Sequence, residues 1–255
     1  ERADVVVDFS PLEGCAGAEC NVLLLDDGAS GDAGQVMQFK VGSLTAPDTS
    51  AIPNALPHQA PLCPAGNACE TSTRKVALFD HLLGLFQGGN AVSMKWDEPI
   101  TETVTLGKNG AATIEVWEIH DLKDDHPIHL HEVQFEVVNR EKIATGEVFN
   151  CNGKAKNASG NLVDCASPPV PGETGFKDTV RVNGGEITRV RVRFGPSPDD
   201  PSPRSGLFAW HCHIIEHEDE EMMRPLCVHH PNDPAPVPGA DGIVGNANPS
   251  CPSHR

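Results

Sequence analysis

Basic side chains are scarce. The 255 residues hold 19 Lys+Arg against 36 Asp+Glu, a formal net charge of −17 with histidine neutral. A nucleic-acid partner needs clustered Lys and Arg on its phosphates, and an anionic membrane surface needs the same. Both are therefore excluded as expected partners. An acidic, solvated surface that attracts cations remains. Long apolar runs are also missing: none approaches the ~18 residues that span a bilayer as a helix, so no membrane span is expected. No repeat with a period of about 20–50 residues recurs, which argues against a solenoid or propeller. Tyrosine is absent and aromatic residues total 5%. The chain opens on Glu1 and carries no basic-then-apolar leader, the expectation for a processed chain or a piece of a longer one.

Turn chemistry is plentiful. Gly 24 and Pro 22 are high for a helical protein and ordinary for a loop-rich β protein. Val5–Phe9, Asn21–Leu25 and Gln35–Val41 are short β-type runs parted by Gly/Asp/Ser clusters, and read as the last strands of a sheet. Residues 42–75 read as a Pro/Ala/Ser/Thr-rich linker. Beyond it, Val76–Phe79, Ala91–Trp96, Glu102–Leu106, Thr113–Ile119 and Glu132–Val138 have strand character. So do Phe176–Val182, Ile187–Phe194, Gly206–Trp210 and Pro225–Val228. Within Thr188–Phe194 the alternation turns Val190, Val192 and Phe194 inward and leaves Arg189, Arg191 and Arg193 on a charged outer face. Asn183-Gly184-Gly185 fits a hairpin turn. Ile214–Glu221 is the one helix-like stretch, and 231–255 reads as an irregular tail. The expectation is an all-β sandwich over residues 76–230.

Nine cysteines divide into four short pairs, 15 with 20, 63 with 69, 151 with 165 and 227 with 251, leaving Cys212 over. An even set of expected disulfides plus one odd thiol points to an oxidising compartment: secreted, periplasmic or cell-surface. Asn157-Ala158-Ser159 is a weak glycosylation signal inside the third pair.

The leftover cysteine lies in the richer of two histidine clusters. One is Asp125-His126-Pro127-Ile128-His129-Leu130-His131; the other runs Trp210-His211-Cys212-His213-Ile214-Ile215-Glu216-His217, followed by Met222 and Met223. On extended backbone, residues two apart face the same way. His129 and His131 therefore project together, as do His211 and His213, so two antiparallel His-x-His strands can offer four imidazoles to one site. Cys212 points to the opposite face, where His217, Met222 and His126 can join it. A thiolate, two imidazoles and a weak methionine make the ligand set of a blue-copper electron-transfer centre. Zinc is the alternative metal for Cys and His, but its structural sites rarely use Met and would leave two imidazoles unused. Structural histidines beside a stray thiol are the remaining alternative.

The segments His-Pro-Ile-His-Leu-His and His-Cys-His-Ile-Ile-Glu-His-Glu-Asp-Glu-Glu-Met-Met-Arg-Pro resemble the C-terminal copper motifs of multicopper oxidases, nearest to the laccase, bilirubin oxidase and spore-coat laccase branch. Glu1-Arg2-Ala3-Asp4, Val36-Met37-Gln38-Phe39 and Gly175-Phe176-Lys177-Asp178-Thr179 share that resemblance, which covers most of residues 1–230. It implies a complete cupredoxin-like Greek-key β-sandwich at 76–230, with 1–41 as the last strands of a preceding cupredoxin domain. By the same resemblance His126, Cys212, His217 and axial Met222 bind type 1 copper, and Met223 is a packing neighbour. His129 is then a type 2 ligand, while His131, His211 and His213 are type 3 ligands. Glu218 takes the place of a proton donor to the cluster; a solvated acidic helix face is the competing reading, since Asp219, Glu220 and Glu221 follow.

The family's trinuclear cluster takes about eight histidines, and no other His-x-His occurs in this chain; His58 and His81 stand alone. The expected partner is therefore an N-terminal half of the same oxidase, alongside dioxygen and a small reducing substrate: a phenol, an aromatic amine, a bilirubin-like pigment or a metal ion. A two-domain oxidase fits less well, because it would carry the missing motifs in each chain. A stand-alone blue-copper carrier accounts for Cys212, His217, Met222 and His126 but leaves His129, His131, His211 and His213 unexplained. A non-catalytic fragment is the third possibility. Asp125, His120, His229 and His230 have no assigned role.

Overall fold

The computed structural model describes residues 5–10, 12, 19–52, 54, 60–64, 69–143, 155–156, 162–163, 166–197, 200–201, 205–233 and 251. The chain divides into two compact units, Ala3–His58 and Gln59–Arg255, the latter with Glu1–Arg2.

In the first unit β1 (Cys20–Leu25) and β2 (Gln35–Val41) form an antiparallel hairpin, Cys20 opposite Val41, with a bulge at Leu24/Leu25. Phe9 sets its ring 5.1 Å from that of Phe39. The expected strand Val5–Phe9 is not one: residues 5–9 join no ladder. Apolar composition alone does not make a strand, because its N–H and C=O groups also need a ladder partner. Leu23, Leu24, Leu25, Val36 and Met37 are exposed.

The second unit holds the other strands. They are β3 (Ser72–Leu78), β4 (Leu83–Gln87), β5 (Asn90–Met94), β6 (Glu102–Thr105), β7 (Thr113–Asp121), β8 (His126–Leu130) and β9 (Phe135–Lys142). Four two-residue strands follow: β10 (Ala155–Lys156), β11 (Leu162–Val163), β12 (Ala166–Ser167) and β13 (Phe176–Lys177). The last are β14 (Thr179–Val182), β15 (Glu186–Phe194), β16 (Gly206–Cys212) and β17 (Met223–His229), with helix α1 (Ile215–Asp219) between β16 and β17. One sheet runs β12-β9-β15-β7-β3-β4-β5, with β13 also on β9; the other runs β14-β8-β16-β17-β6. β10 and β11 pair only with each other.

The two large sheets make a sandwich because their strands alternate. Thr113, Glu115, Trp117, Ile119 and Asp121 of β7 are buried at every second position, as are Thr188, Val190, Val192 and Phe194 of β15. Across the layers Trp117 meets Trp210 of β16 edge-on, ring centroids 5.5 Å apart. Truncating either ring would cost about 3–5 kcal/mol. Val76, Leu78, Ile128, Leu130, Val180 and Leu226 complete the same core.

Further expectations change. Asn183-Gly184-Gly185 does not close a hairpin: β14 before it lies in one sheet and β15 after it in the other. The turn crosses between layers and packs so tightly that a Cβ on Gly184 would sit 2.2 Å from the Lys123 carbonyl oxygen, while Gly185 has φ +75°. Arg189 and Arg191 do not simply face solvent. Arg189 bonds Glu118 at 2.9 Å and Glu141 at 2.7 Å, and Arg191 bonds Glu70 at 2.8 Å and Glu136 at 3.2 Å. Neighbouring strands bring acids beside each arginine, a cross-strand pattern that one strand's alternation does not reveal. Leu83–Gln87, not anticipated, forms β4, and Glu132 at φ +63° delays β9 to Phe135.

Disulfides join Cys63 to Cys69 and Cys227 to Cys251. Cys20 is disulfide-bonded, and its expected partner Cys15 lies outside the described residues. So do Cys151, Cys165, the sequon Asn157-Ala158-Ser159, the segment Glu1-Arg2-Ala3-Asp4, His58 and most of the tail. Among the described residues Cys212 is the free cysteine, and it is buried. No helix among them is long and apolar enough to cross a membrane.

Candidate metal centre

The register of two strands assembles the site. β16 runs antiparallel to β8 with His211 opposite His129 and Cys212 opposite Ile128. A one-residue slip would turn the imidazoles of one strand to the other face. The register is held by fully buried Ile128, Leu130 and Trp210 beneath it.

On the outer face four imidazoles converge. The His129 ring lies 5.1 Å from His131, 5.4 Å from His211 and 5.7 Å from His213. His131 is 5.1 Å from His211, and His211 is 5.5 Å from His213. One ring nitrogen each of His129, His131 and His211 lies within 4.8 Å of the others, close enough to hold one metal ion. His131 Nε2 and His211 Nε2 are 3.1 Å apart. The far nitrogens are occupied: His129 Nδ1 donates to the Asp178 carbonyl at 2.8 Å, and His211 Nδ1 to the Cys212 carbonyl at 2.8 Å. Those bonds fix the tautomers that leave Nε2 lone pairs pointing at one another. Burial, then repulsion from His211 and His129, lowers the His131 pKa, so its ring is neutral near pH 7. The Glu218 carboxylate reaches this group from the side, Oε2 3.2 Å from His211 Nδ1.

The inner face holds the thiol. Cys212, His126 and Met222 are each fully buried. Cys212 Sγ lies 3.9 Å from His217 Nδ1 and accepts from the Ile214 N–H at 3.4 Å. The rings of His126 and His217 meet edge-on at 5.2 Å. Met222 returns beneath Cys212 because the chain reverses after α1: Met222 N–H donates to the His217 carbonyl at 2.9 Å, and Cys212 N–H to the Met222 carbonyl at 3.0 Å. The reversal passes through Glu221, whose φ of +92° is unusual for a non-glycine residue; its carboxylate accepts from the Trp96 N–H at 3.1 Å. Burial pushes the Cys212 thiol up to about 11, with the Ile214 N–H opposing and the charges of Glu218 and Asp121 adding. An anionic sulfur here therefore calls for a cation beside it.

Both nitrogens of His126 have partners, Nδ1 with Asp121 Oδ2 at 3.1 Å and Nε2 with the Asp80 carbonyl at 3.1 Å. Burial works to lower the His126 pKa, but the Asp121 hydrogen bond and charge leave it raised. Beside Met222, Arg224 and Glu102 form a fully buried pair at 3.1 Å that also receives Trp210 Nε1 at 3.3 Å. Arg224 further donates to the Pro99 carbonyl at 2.8 Å, tying the 95–101 loop to the strand that follows the methionines. Met223, on β17, is half-buried.

The model of the multicopper oxidase family matches residues 92–232, a span holding both histidine clusters. This chain belongs to the multicopper oxidase family. It is 32% identical over 243 residues to a laccase of Bacillus subtilis (strain 168), a match covering 91% of this chain and 42% of that protein. To a laccase of Haloferax volcanii it is 32% identical over 239 residues, covering 91% of this chain and 34% of that one. The chain thus spans about two fifths of the length of the curated relatives it matches, or less. A solved multi-copper oxidase from Pediococcus acidilactici aligns with TM-score 0.48 and 21% identity, covering 79% of this chain and 34% of that one. The two packed sheets are the all-β, cupredoxin-like sandwich expected from the copper motifs.

Multicopper oxidases use copper, and the donor types present suit it, with His126 having to exchange its Nε2 contact to the Asp80 carbonyl for the metal. Four imidazoles converge on one face; on the other lie a buried thiol with the His217 imidazole 3.9 Å from it, and the buried side chains of His126 and Met222. Every sequence-expected ligand lies in one of these two groups. What the motifs did not announce is His81, whose ring stacks on His217 with centroids 4.4 Å apart and planes at 25°. Its Nδ1 contacts the Glu220 carboxylate. His229, another unassigned histidine, pairs Nε2 with Thr105 Oγ1 at 3.0 Å at the sheet edge. Among the described residues no third His-x-His pair joins the outer face.

Proposed function

We propose that this chain is the C-terminal, copper-ligating part of an oxidase that takes electrons from a small reducing substrate and reduces dioxygen to water. The observation that carries this reading is the division of one strand pair into two donor sets. His129 stands opposite His211 with four imidazoles on one face, and Cys212 lies on the other. In it His126, Cys212, His217 and Met222 hold type 1 copper, His129 is a type 2 ligand, and His131, His211 and His213 are type 3 ligands. Copper bound at these two sites supplies one-electron acceptance from the substrate and four-electron delivery to dioxygen.

The chain's own residues divide the remaining work. His211 and His213 flank Cys212, so three consecutive residues join the two faces through the backbone. Asp178 and Cys212 carbonyls orient His129 and His211. Glu218, beside His211 and partly exposed, is placed to pass protons between solvent and the imidazole group. The substrate is a phenol, an aromatic amine, a bilirubin-like pigment or a metal ion, and an oxidising, extracytoplasmic setting suits the disulfides.

Four imidazoles are half of the eight that a trinuclear cluster of this family uses, so an N-terminal half with its own His-x-His motifs is the partner. In this arrangement residues 1–41 are the end of a preceding cupredoxin domain, 42–71 a linker and 231–255 a tail; the complete domain, expected at 76–230, opens four residues earlier, because β3 pairs with β7 from Ser72. The test is oxygen uptake by the copper-loaded chain, alone and with that N-terminal half added. Uptake only in the second case is expected; uptake in neither supports the blue-copper carrier instead.

A further inference from the structure

We propose that His81 is a positioning residue that fixes the plane of the His217 imidazole. The proposal depends on the reading above only where copper is the readout. Helix α1, which carries His217, has five residues, none of them buried, and no side-chain cap. A helix that short does not hold its own geometry in water, so tertiary contacts must set its side chains. The His217 ring has two aromatic neighbours: His126 edge-on at 5.2 Å and His81 stacked at 4.4 Å.

His81 comes from a different part of the fold. It forms with Asp80 the two-residue turn between β3 and β4, closed by the Phe79 N–H on the Leu82 carbonyl at 2.9 Å. The strands on either side are anchored in the core, with Val76, Ala77, Leu78 and Leu83 fully buried. The turn is therefore a firm platform, and it touches both inner-face imidazoles. The Asp80 carbonyl bonds His126 Nε2 at 3.1 Å, and the His81 ring covers His217. The Glu220 carboxylate on His81 Nδ1 ties the ring to the residue that ends α1. Rotation of His217 about its ring bond would drive its edge into His81. The stack thus directs Nδ1 at Cys212 Sγ and keeps water off one ring face.

Two variants separate the ring contact from the hydrogen bond. His81→Phe keeps a stacking face and loses the bond to Glu220; His81→Asn keeps a polar group and loses the ring. Both sit in an exposed turn, and equal Tm values would establish that both fold. In the metal-free protein, the ring-proton NMR signals of His217 should move downfield in His81→Asn and stay near their original positions in His81→Phe. In the Cu(II)-loaded protein, His81→Asn should give a second set of copper hyperfine lines in the electron paramagnetic resonance spectrum, and His81→Phe a single set. Unchanged His217 signals and a single unaltered hyperfine pattern in His81→Asn would overturn the proposal. A protein that takes up copper without blue colour would overturn the copper reading of Cys212, while the metal-free NMR comparison would still decide the role of His81.

Discussion

One strand pair serves two unlike sites. On the inner face of β8 and β16, Cys212, His126 and Met222 are buried within the sandwich core, and every donor comes from residues 126–222 of one compact unit. His217 of the inner set is half-buried, while on the outer face His211 is buried, His129 half-buried and His213 exposed. The difference follows from strand alternation: the residues that face the core are enclosed by the second sheet, while their neighbours wait for whatever covers the outside. An enclosed donor set can be finished by the chain's own packing, and an open one is finished only by further ligands.

The sharpest break in that comparison is Cys212→Ser. It should abolish blue absorbance completely while leaving the outer-face imidazoles in place; colour persisting in visible spectroscopy would remove the thiol from the inner site. The converse is the double variant His131→Ala/His211→Ala. In the chain combined with its N-terminal half, it should eliminate outer-face copper, read by elemental analysis, with the blue band retained, and loss of both signals together would mean that the two faces do not form independently. Met222→Leu should keep the blue copper and raise its reduction potential, because a weak thioether slightly favours Cu(II). An unaltered potential in a redox titration would hand the axial role to Met223 or to no methionine.

A smaller effect still is expected far from both faces. Glu118 on β7 is held down at about 2 by His120, Arg189 and Lys75 against the upward push of burial. Arg189 is the firmer anchor, since its Nε donates at 2.9 Å while His120 Nε2 is 3.7 Å away, too long for a hydrogen bond. A carboxyl lowered on folding stabilises above its unfolded pKa, near 4.5, and loses that contribution as pH falls toward 2. Glu118→Gln should therefore lower stability by roughly 1–3 kcal/mol at pH 7. Thermal melts should show the gap closing below pH 4, with neither copper signal altered. A gap independent of pH would mean that packing, not charge, was lost.

The sorting of these side chains onto two faces was legible in the sequence because it is local: a strand's period of two separates His-x-His from the cysteine between without any knowledge of the fold. The sandwich was legible for the same reason, in runs such as Thr188–Phe194. What escaped was non-local. His81 has no partner at i+2 and lies 136 residues before His217, so only the packed hairpin brings the two rings together. Asn183-Gly184-Gly185 announces a turn but not which sheet the next strand joins. The acids that pair with Arg189 and Arg191 lie on neighbouring strands or, for Glu70, just before β3, so one strand's alternation left those arginines facing water.

The central claim is that the chain holds one complete copper set and half of another. Copper per chain on the purified 255-residue protein, measured together with oxygen uptake, tests it most directly. The account predicts one firmly held copper, a blue band and no oxygen uptake until the remaining cluster histidines are supplied. Four coppers per chain with full oxygen uptake would contradict it.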